Sequence, residues 1–439
     1  MHASPIHSVT NSVAKQVATV LFKEVAEQCE ADFAVRLWEG TNLALKSNPQ
    51  FTIVIRDPQV LGLLLKSPNE LTLGESFVHG NLDVEGDLEA ALQLGDTLMS
   101  YKPRKARQMA MGKLTTILAG VKSATNESDK ATDELHSREG AREAIAHHYD
   151  VSNDFYRLWL DRRLQYTAAY FESRDECLDN AQERKLHYIC GKLNLHPGDK
   201  FLDIGCGWGG LVMHAASHYG VEACGITLSA RQAELAQERI RNAGLGDRCG
   251  VRICDYRDVD GIETYDKIAS IGMIEHVGRS NLGLYFAQAW RLLRAGGLFL
   301  NSGIAASATW QRQGDSFMDR YVFPDGDLVP LHVTLQEAER GGFEVRDVDC
   351  LREHYALTLD HWVHRLEEHA NEARQAVGDI TYRIWKLYMA ASARGFRTNR
   401  INLYQTLFSK PDHGKCDLPL TRQDWHRRLN PVRDQQSFA

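Results

Sequence analysis

Asp203-Ile204-Gly205-Cys206-Gly207-Trp208-Gly209-Gly210 sets one carboxylate beside four glycines within eight residues. Glycines permit backbone conformations and close approaches that a Cβ would block, so a ligand can sit directly on the main chain. A dinucleotide fingerprint needs G-x-G-x-x-G facing a pyrophosphate. The spacing here is G-x-G-x-G-G, and a carboxylate suits a cationic amino-acid group better than a phosphate. The chemistry on offer is the holding of a positively charged, nucleoside-bearing cofactor. Further on, Thr227-Leu228-Ser229-x-x-Gln232 supplies hydroxyls and an amide where an acid often grips ribose. A helix N-cap by Ser229 would read identically. Asp255-Tyr256-Arg257-Asp258 stands where such folds meet adenine, and Ser270-Ile271-Gly272-Met273-Ile274-Glu275-His276 ends in an acid and a base. That pair could handle protons, or could be two satisfied polar groups.

The elements that must position these residues follow from the pattern after residue 197, where short β-rich runs alternate with longer helical stretches. This is the mark of βαβ units and a parallel sheet, class α/β. Strands are predicted at Lys200–Ile204, Val221–Ile226, Val251–Cys254, Lys267–Ile271 and Leu298–Ser302, with helices around 210–219, 230–243 and 280–294. Pro197-Gly198 and Ala295-Gly296-Gly297 punctuate strand entries. Before this core, Phe51–Ile55 reads as a strand and Val13–Cys29 and Ala90–Met99 as helices of a smaller domain. The division expected is 1–122 for that domain, a polar linker at 123–140, and 141–439 for the larger one. Residues 101–122 carry six Lys and Arg and no acid, with Leu114, Ile117, Leu118 and Val121 at helical spacing. Such a segment can lie on anionic lipid headgroups, or pack as an ordinary amphipathic helix.

Composition bounds the rest. A chain of 439 residues, 43% apolar and 25% charged, suits a two-domain globular protein. A formal charge of −7 argues against nucleic acid as the partner of the whole chain. No run of eighteen apolar residues is present to span a membrane, and the first thirty residues have neither a basic leader nor an apolar core. The expectation is a cytoplasmic protein. Nine scattered cysteines, without a C-x-x-C pair or a His/Cys ligand spacing, are expected to be reduced thiols, and no metal set is expected.

The glycine loop resembles motif I of class I S-adenosylmethionine-dependent methyltransferases. His148-Tyr149-Asp150-Val151-Ser152-Asn153-Asp154-Phe155-Tyr156, Leu160-Asp161 and Gln165-Tyr166-Thr167-Ala168-Ala169-Tyr170-Phe171 resemble the cyclopropane-fatty-acid synthase family. So do Ile204–Gly209, Gly225–Ser229, Ser270–Gly272 with Glu275-His276, His354–Leu359, and Gly395-Phe396-Arg397 through Leu407-Phe408-Ser409. Leu71–Gly80 resembles a motif of the N-terminal domain in full-length bacterial members.

The resemblance implies a Rossmann-like, mostly parallel α/β sheet with a small α+β N-terminal domain that serves membrane docking or a homodimer contact. It implies transfer of the sulfonium methyl group to the double bond of an unsaturated acyl chain in a phospholipid, at a peripheral membrane surface. An alkene is a poor nucleophile, so catalysis must come from positioning and exclusion of water. Tyr166, Tyr170 and Tyr355 are candidate walls of a greasy pocket. For the cofactor the family pattern points to Tyr166, Thr167, Asp203, Gly205, Gly207, Thr227, Leu228, Ser229, Gln232, Tyr256, Arg257 and Ile271. A bicarbonate ion that removes a proton and closes the ring is implied at Glu275, Tyr355 and the Ile304 amide. Two positions depart: Ala168 stands where the family usually has Cys, and Ser302 where it has His.

These departures bear on the outcome rather than on the transfer. Ring closure is expected because Glu275 and Tyr355 are present and Ser302 can donate a hydrogen bond; the alternative is a methylene- or methyl-branched or methylated polyene product. Two further readings are a lipid-binding relative without catalysis and a methyltransferase for a soluble small molecule.

Overall fold

Phe201-Leu202-Asp203-Ile204 is apolar at nearly every position, as a strand covered on both faces must be, and it forms an interior strand of a seven-stranded sheet. The computed structural model describes residues 5–29, 31–45, 48–66, 69–100, 152–309, 316–323, 326–423 and 425. The expected basic segment 101–122, the linker 123–140 and His148–Val151 lie outside these residues.

Two compact units divide the chain. In the first, a helix Pro5–Gln28 precedes strands β1 (Phe33–Arg36), β2 (Asn42–Ala44) and β3 (Phe51–Ile55), helices Gln59–Lys66 and Glu70–Val78, strand β4 (Leu82–Gly86) and helix Leu88–Ser100. The sheet runs β2-β1-β3-β4, with β1 and β3 parallel and the outer pairs antiparallel. Val17, Leu21 and Phe22 of the first helix bury against Phe33, Phe51 and Ile53, and Phe33 stacks on Phe51 with centroids 5.8 Å apart. The Leu71–Gly80 motif is a helix capped by Asn69, whose Oδ1 accepts from the Thr72 amide at 2.8 Å. This unit also takes in described residues 316–322 and Gly378–Arg394, so it does not end where a single cut near residue 140 would place it. The reason is side-chain pairing over long sequence separation. Arg383 donates to Asp83 at 3.1 Å and to Asp379 at 2.8 Å, and Arg394 to Asp96 at 2.7 Å. Gly378, at φ 81°, interrupts the helical stretch Ala370–Arg397 where this segment begins.

In the second unit, strands β5 (Lys200–Ile204), β6 (Glu222–Thr227), β7 (Cys249–Ile253), β8 (Tyr265–Ile271), β9 (Leu293–Ala306), β10 (Glu344–Cys350) and β11 (Ile401–Ser409) stand in the order β10-β11-β9-β8-β5-β6-β7. The five from β7 to β9 are parallel; β11 and β10 add antiparallel. Helices Leu178–Lys192, Gly210–Tyr219, Ala230–Asn242 and Leu282–Leu292 flank them, and the fold class is the α/β arrangement expected. Strand order reverses at β5, which has β6 on one side and β8 on the other. In open α/β sheets ligands bind beyond the carboxyl ends of strands at such a switch point.

One expected boundary differs. Ala295-Gly296-Gly297 lies inside β9 rather than before it. Gly296 donates to the Lys410 carbonyl at 2.7 Å and Lys410 to that of Gly297 at 3.1 Å, so pairing with the chain beyond β11 carries the strand through the glycines. A Cβ on Gly297 would sit 2.7 Å from the Asp266 carbonyl oxygen, and only glycine fits that approach. All nine cysteines are free thiols. Among the described residues no helix is long and apolar enough to cross a membrane.

Candidate active site

At the carboxyl end of β5 the backbone turns through Gly205 at φ 82°, Gly207 at 54° and Gly209 at 77° before the helix that opens at Gly210. Non-glycine residues rarely hold such angles. The packing is equally demanding: a Cβ on Gly210 would stand 1.9 Å from Gln165 Nε2. The loop is thus pressed against Leu164–Thr167, and together they line a deep pocket.

That pocket gathers nearly the whole expected cofactor set. Tyr166 and Thr167 form one wall, Asp203, Gly205 and Gly207 the floor, and Thr227, Leu228 and Gln232 the end of β6. Tyr256, Arg257 and Ile271 close the far side. Ser229 is the exception. Its Oγ accepts from the Gln232 amide at 3.3 Å as the N-cap of Ala230–Asn242, and it does not line the pocket. An N-cap is worth about 1 kcal/mol, which explains the hydroxyl without a ligand. Thr227 Oγ1 donates to Gln232 Oε1 at 2.7 Å, fixing both side chains. Arg257 is clamped on Asp255 by two bonds, Nε to Oδ1 at 2.9 Å and Nη2 to Oδ2 at 2.6 Å.

Sequence reasoning missed the polar group beneath this pocket. Lys185 is buried, and its Nζ donates to Gln165 Oε1 at 2.8 Å and Thr167 Oγ1 at 2.9 Å. Burial lowers its pKa to about 8, against the pull of the Asp161 and Asp203 carboxylates. Asp161 accepts from the amides of Gln165 at 2.7 Å and Arg163 at 2.9 Å, and so shapes the turn that delivers Tyr166. The only sequence signal for Lys185 was a lysine on the apolar face of Leu178–Lys192.

Asp203 is 3% exposed, and its Oδ1 has no hydrogen-bond partner among the described residues. Burial raises its pKa to about 7, with Lys185 pulling the other way. A buried carboxylate oxygen beside a glycine cradle fits the cationic amino-acid end of S-adenosylmethionine.

The expected reacting residues divide into two groups. Glu275 and Ile304 meet directly, the Ile304 amide donating to Glu275 Oε1 at 2.7 Å, with Ser302 two residues earlier on β9 and buried. Glu275 sits in the turn Ile274–His276, whose neighbours Met273, His276 and Val277 line the cofactor pocket. Its own side chain lines a smaller pocket with Asn301, Ile304, Thr334 and Tyr404. Burial raises the Glu275 pKa, opposed by the Ile304 amide.

Tyr355 and Ala168 belong to a second group. Tyr355 stacks on Phe396 at 4.6 Å and meets Trp362 edge-on at 6.1 Å, while Trp362 packs on Tyr166 at 5.2 Å. The segment holding Ala168 is pinned to the same helix, Arg352–Glu368, by the Ala169 amide on Thr358 Oγ1 at 2.9 Å. Tyr170 stacks on His354 at 4.7 Å and packs tilted against Tyr188 at 4.4 Å. The implied bicarbonate cradle does not fit as expected. The Ile304 amide is committed to Glu275, and neither Ala168 nor Ser302 restores the usual side chains. A cluster outside the expected site residues is Glu183, His187, His214 and His218, which bring their ligand atoms within 4.8 Å of one another. The i, i+4 spacing within each pair was the available signal.

Comparison with known proteins places this geometry. The family model described as mycolic acid cyclopropane synthetase matches residues 136–406, and one for a domain of unknown function matches residues 20–96. A protein named Probable fatty acid methyltransferase from Pseudomonas putida is 41% identical over 398 residues, covering 90% of this chain and 96% of that one. Cyclopropane-fatty-acyl-phospholipid synthase from Escherichia coli (strain K12) is 37% identical over 263 residues, 60% of this chain and 66% of that one. A solved mycolic acid cyclopropane synthase, CmaA1 complexed with SAH and CTAB, superposes with a TM-score of 0.58 at 33% identity, covering 61% of this chain and 97% of that one.

Proposed function

The chain belongs to the mycolic acid cyclopropane synthetase family, and on that premise we propose that it methylates the double bond of an unsaturated acyl chain in a phospholipid and closes a cyclopropane ring. It is an S-adenosylmethionine-dependent methyltransferase acting on unsaturated fatty acyl chains. S-adenosylmethionine supplies an electrophilic methyl group when bound. The observation that carries the reading is the Asp203 oxygen left unpaired in a pocket whose rim runs, through the turn Ile274–His276, directly into Glu275.

In this reading Asp203 holds the cationic amino-acid end, Thr227 and Gln232 take the ribose hydroxyls, and Tyr256 and Arg257 flank the base. Lys185 sets Gln165 and Thr167 in place. Tyr166, Trp159, Trp362 and Tyr355 form a dry aromatic wall, with Tyr166 and Trp159 at 5.4 Å. Excluding water favours attack by a weak carbon nucleophile, and ring faces stabilise the positive charge left on the acyl chain. Glu275 then accepts the proton whose loss ends the reaction, and burial, which raises its pKa, makes its carboxylate a stronger base. No step is assigned to bicarbonate.

A second reading, a methylene- or methyl-branched product, is favoured by Ser302, Ala168 and the engaged Ile304 amide, since together they leave Glu275 without the usual neighbours of an anion site. The proton lost would then come from a neighbouring carbon. The test is incubation with isotopically labelled S-adenosylmethionine and vesicles of unsaturated phospholipid, followed by mass spectrometry and NMR of the acyl products. A cyclopropane signal is expected. A branched chain without a ring overturns ring closure, and labelling of free acyl chains but never of vesicles overturns the phospholipid substrate. Action at a cytoplasmic membrane surface belongs to the same proposal.

A further inference from the structure

Away from the cofactor pocket, two helices of the second unit face each other with matched i, i+4 pairs. Glu183 and His187 lie on Leu178–Lys192, and His214 and His218 on Gly210–Tyr219. Residues four apart share one helix face, so two packed helices bring all four together. His187 and His214 have ring centroids 4.3 Å apart, and His214 and His218 are 4.2 Å apart.

An ordinary histidine cluster would satisfy its nitrogens. His214 does not: it is fully buried, and neither Nδ1 nor Nε2 has a hydrogen-bond partner among the described residues. Buried polar groups left unpaired are disfavoured, and two further imidazoles beside this one offer it no compensation. Neutral imidazole is the form that ligates metals.

We propose that Glu183, His187, His214 and His218 bind a divalent transition metal, with Zn2+ the best match to three imidazoles and one carboxylate. All four ligand atoms lie within 4.8 Å of one another. Bonds of about 2.0–2.1 Å in a tetrahedron put ligand atoms about 3.4 Å apart, a contraction that side-chain rotation supplies. Outer partners are already in place. The Tyr219 hydroxyl meets His187 Nδ1 at 3.0 Å, and His218 Nδ1 lies 2.8 Å from Ser217 Oγ and 3.1 Å from the His214 carbonyl oxygen. Such contacts orient ligating imidazoles. Arg163 Nη2 donates to Glu183 Oε1 at 2.6 Å, so the metal would take the other carboxylate oxygen and the arginine would keep the first.

The site would act as a brace. Leu178–Lys192 also carries Lys185, Gly210–Tyr219 opens from the glycine loop, and Arg163 leads into Gln165 and Tyr166, so the metal ties together three segments that line the cofactor pocket without touching it.

The experiment uses the full chain stripped by a chelator and titrated with Zn2+ and, as a spectroscopic probe, Co2+. Elemental analysis after gel filtration should give one equivalent, the Co2+ protein should show tetrahedral d–d bands, and the melting temperature should rise with metal concentration. His218→Asn, at an exposed ligand that the fold does not need, should weaken Co2+ binding at least tenfold, and His187→Gln with His218→Asn should abolish both the bands and the rise. Uptake below a tenth of an equivalent, binding unchanged in the double variant, or a spectrum dominated by cysteine-to-cobalt charge transfer overturns the assignment.

Discussion

The two halves of the candidate active site are built to different degrees. The cofactor half is braced by bonds among its own residues: Lys185 to Gln165 and Thr167, Thr227 to Gln232, Arg257 to Asp255. It leaves one oxygen of Asp203 unpaired. In the reacting half the Ile304 amide is bonded to Glu275 itself, and Ala168 brings no polar side chain at all. The first half is organised for a ligand of fixed shape, the second constrains an outcome by a single carboxylate. Holding the cofactor and choosing the product are therefore separable properties of the chain.

The strongest way to break that separation is Glu275→Gln. Loss of a general base should lower turnover by about 10²–10⁴-fold while S-adenosylmethionine affinity by calorimetry stays within about threefold of wild type, below 1 kcal/mol by the affinity scale. A collapse of affinity would mean that the halves are one unit. Asp203→Ala should do the reverse, weakening cofactor binding by about 100-fold, in line with removing one partner of a buried charge pair. Unchanged affinity in that variant would remove Asp203 from the site.

A smaller effect comes from pH. Burial pushes the folded Asp203 carboxyl up to about 7 from its ordinary 3.8. Between those values the folded chain without cofactor keeps a proton that the unfolded chain has lost, so stability falls as pH rises across this window, by up to about 4 kcal/mol. Binding a cation draws the carboxylate into its ionised form, so cofactor affinity should fall up to about tenfold per pH unit below 7. Asp203→Asn should melt higher than wild type at pH 8 without cofactor, and its residual affinity should lose this pH dependence. A wild-type affinity flat from pH 5 to 8 contradicts the assignment. The smallest change is expected from Ala168→Cys with Ser302→His. Each restored hydrogen bond is worth about 0.5–1.5 kcal/mol, a shift of about 2–10-fold in the ratio of ring to branched product by NMR. No shift would mean that these positions do not steer the proton.

The glycine loop, the ends of β6 and β8 and the parallel core were legible because each is local: a run of residues forms a strand and the next few form its rim. Lys185 was only half legible, since a lysine on the apolar face of a helix can still reach solvent until the packing shows it buried beside Thr167. The reach of the first unit into 378–394 was not legible, since it depends on Arg383 and Arg394 finding Asp83 and Asp96 about 300 residues away in sequence. Glu183, His187, His214 and His218 were half visible, as two i, i+4 pairs whose meeting needed the helices to be placed.

By itself the sequence determined the α/β class, the cofactor loop and the departures at Ala168 and Ser302, because hydrophobic period, glycine and residue identity act over a few neighbours. Only the tertiary structure decided that the Ile304 amide is spent on Glu275, that Ser229 caps a helix, and that Asp203 is left with an unpaired oxygen. Those are questions of which partner lies within about 3 Å, and burial sets the energy of the answer.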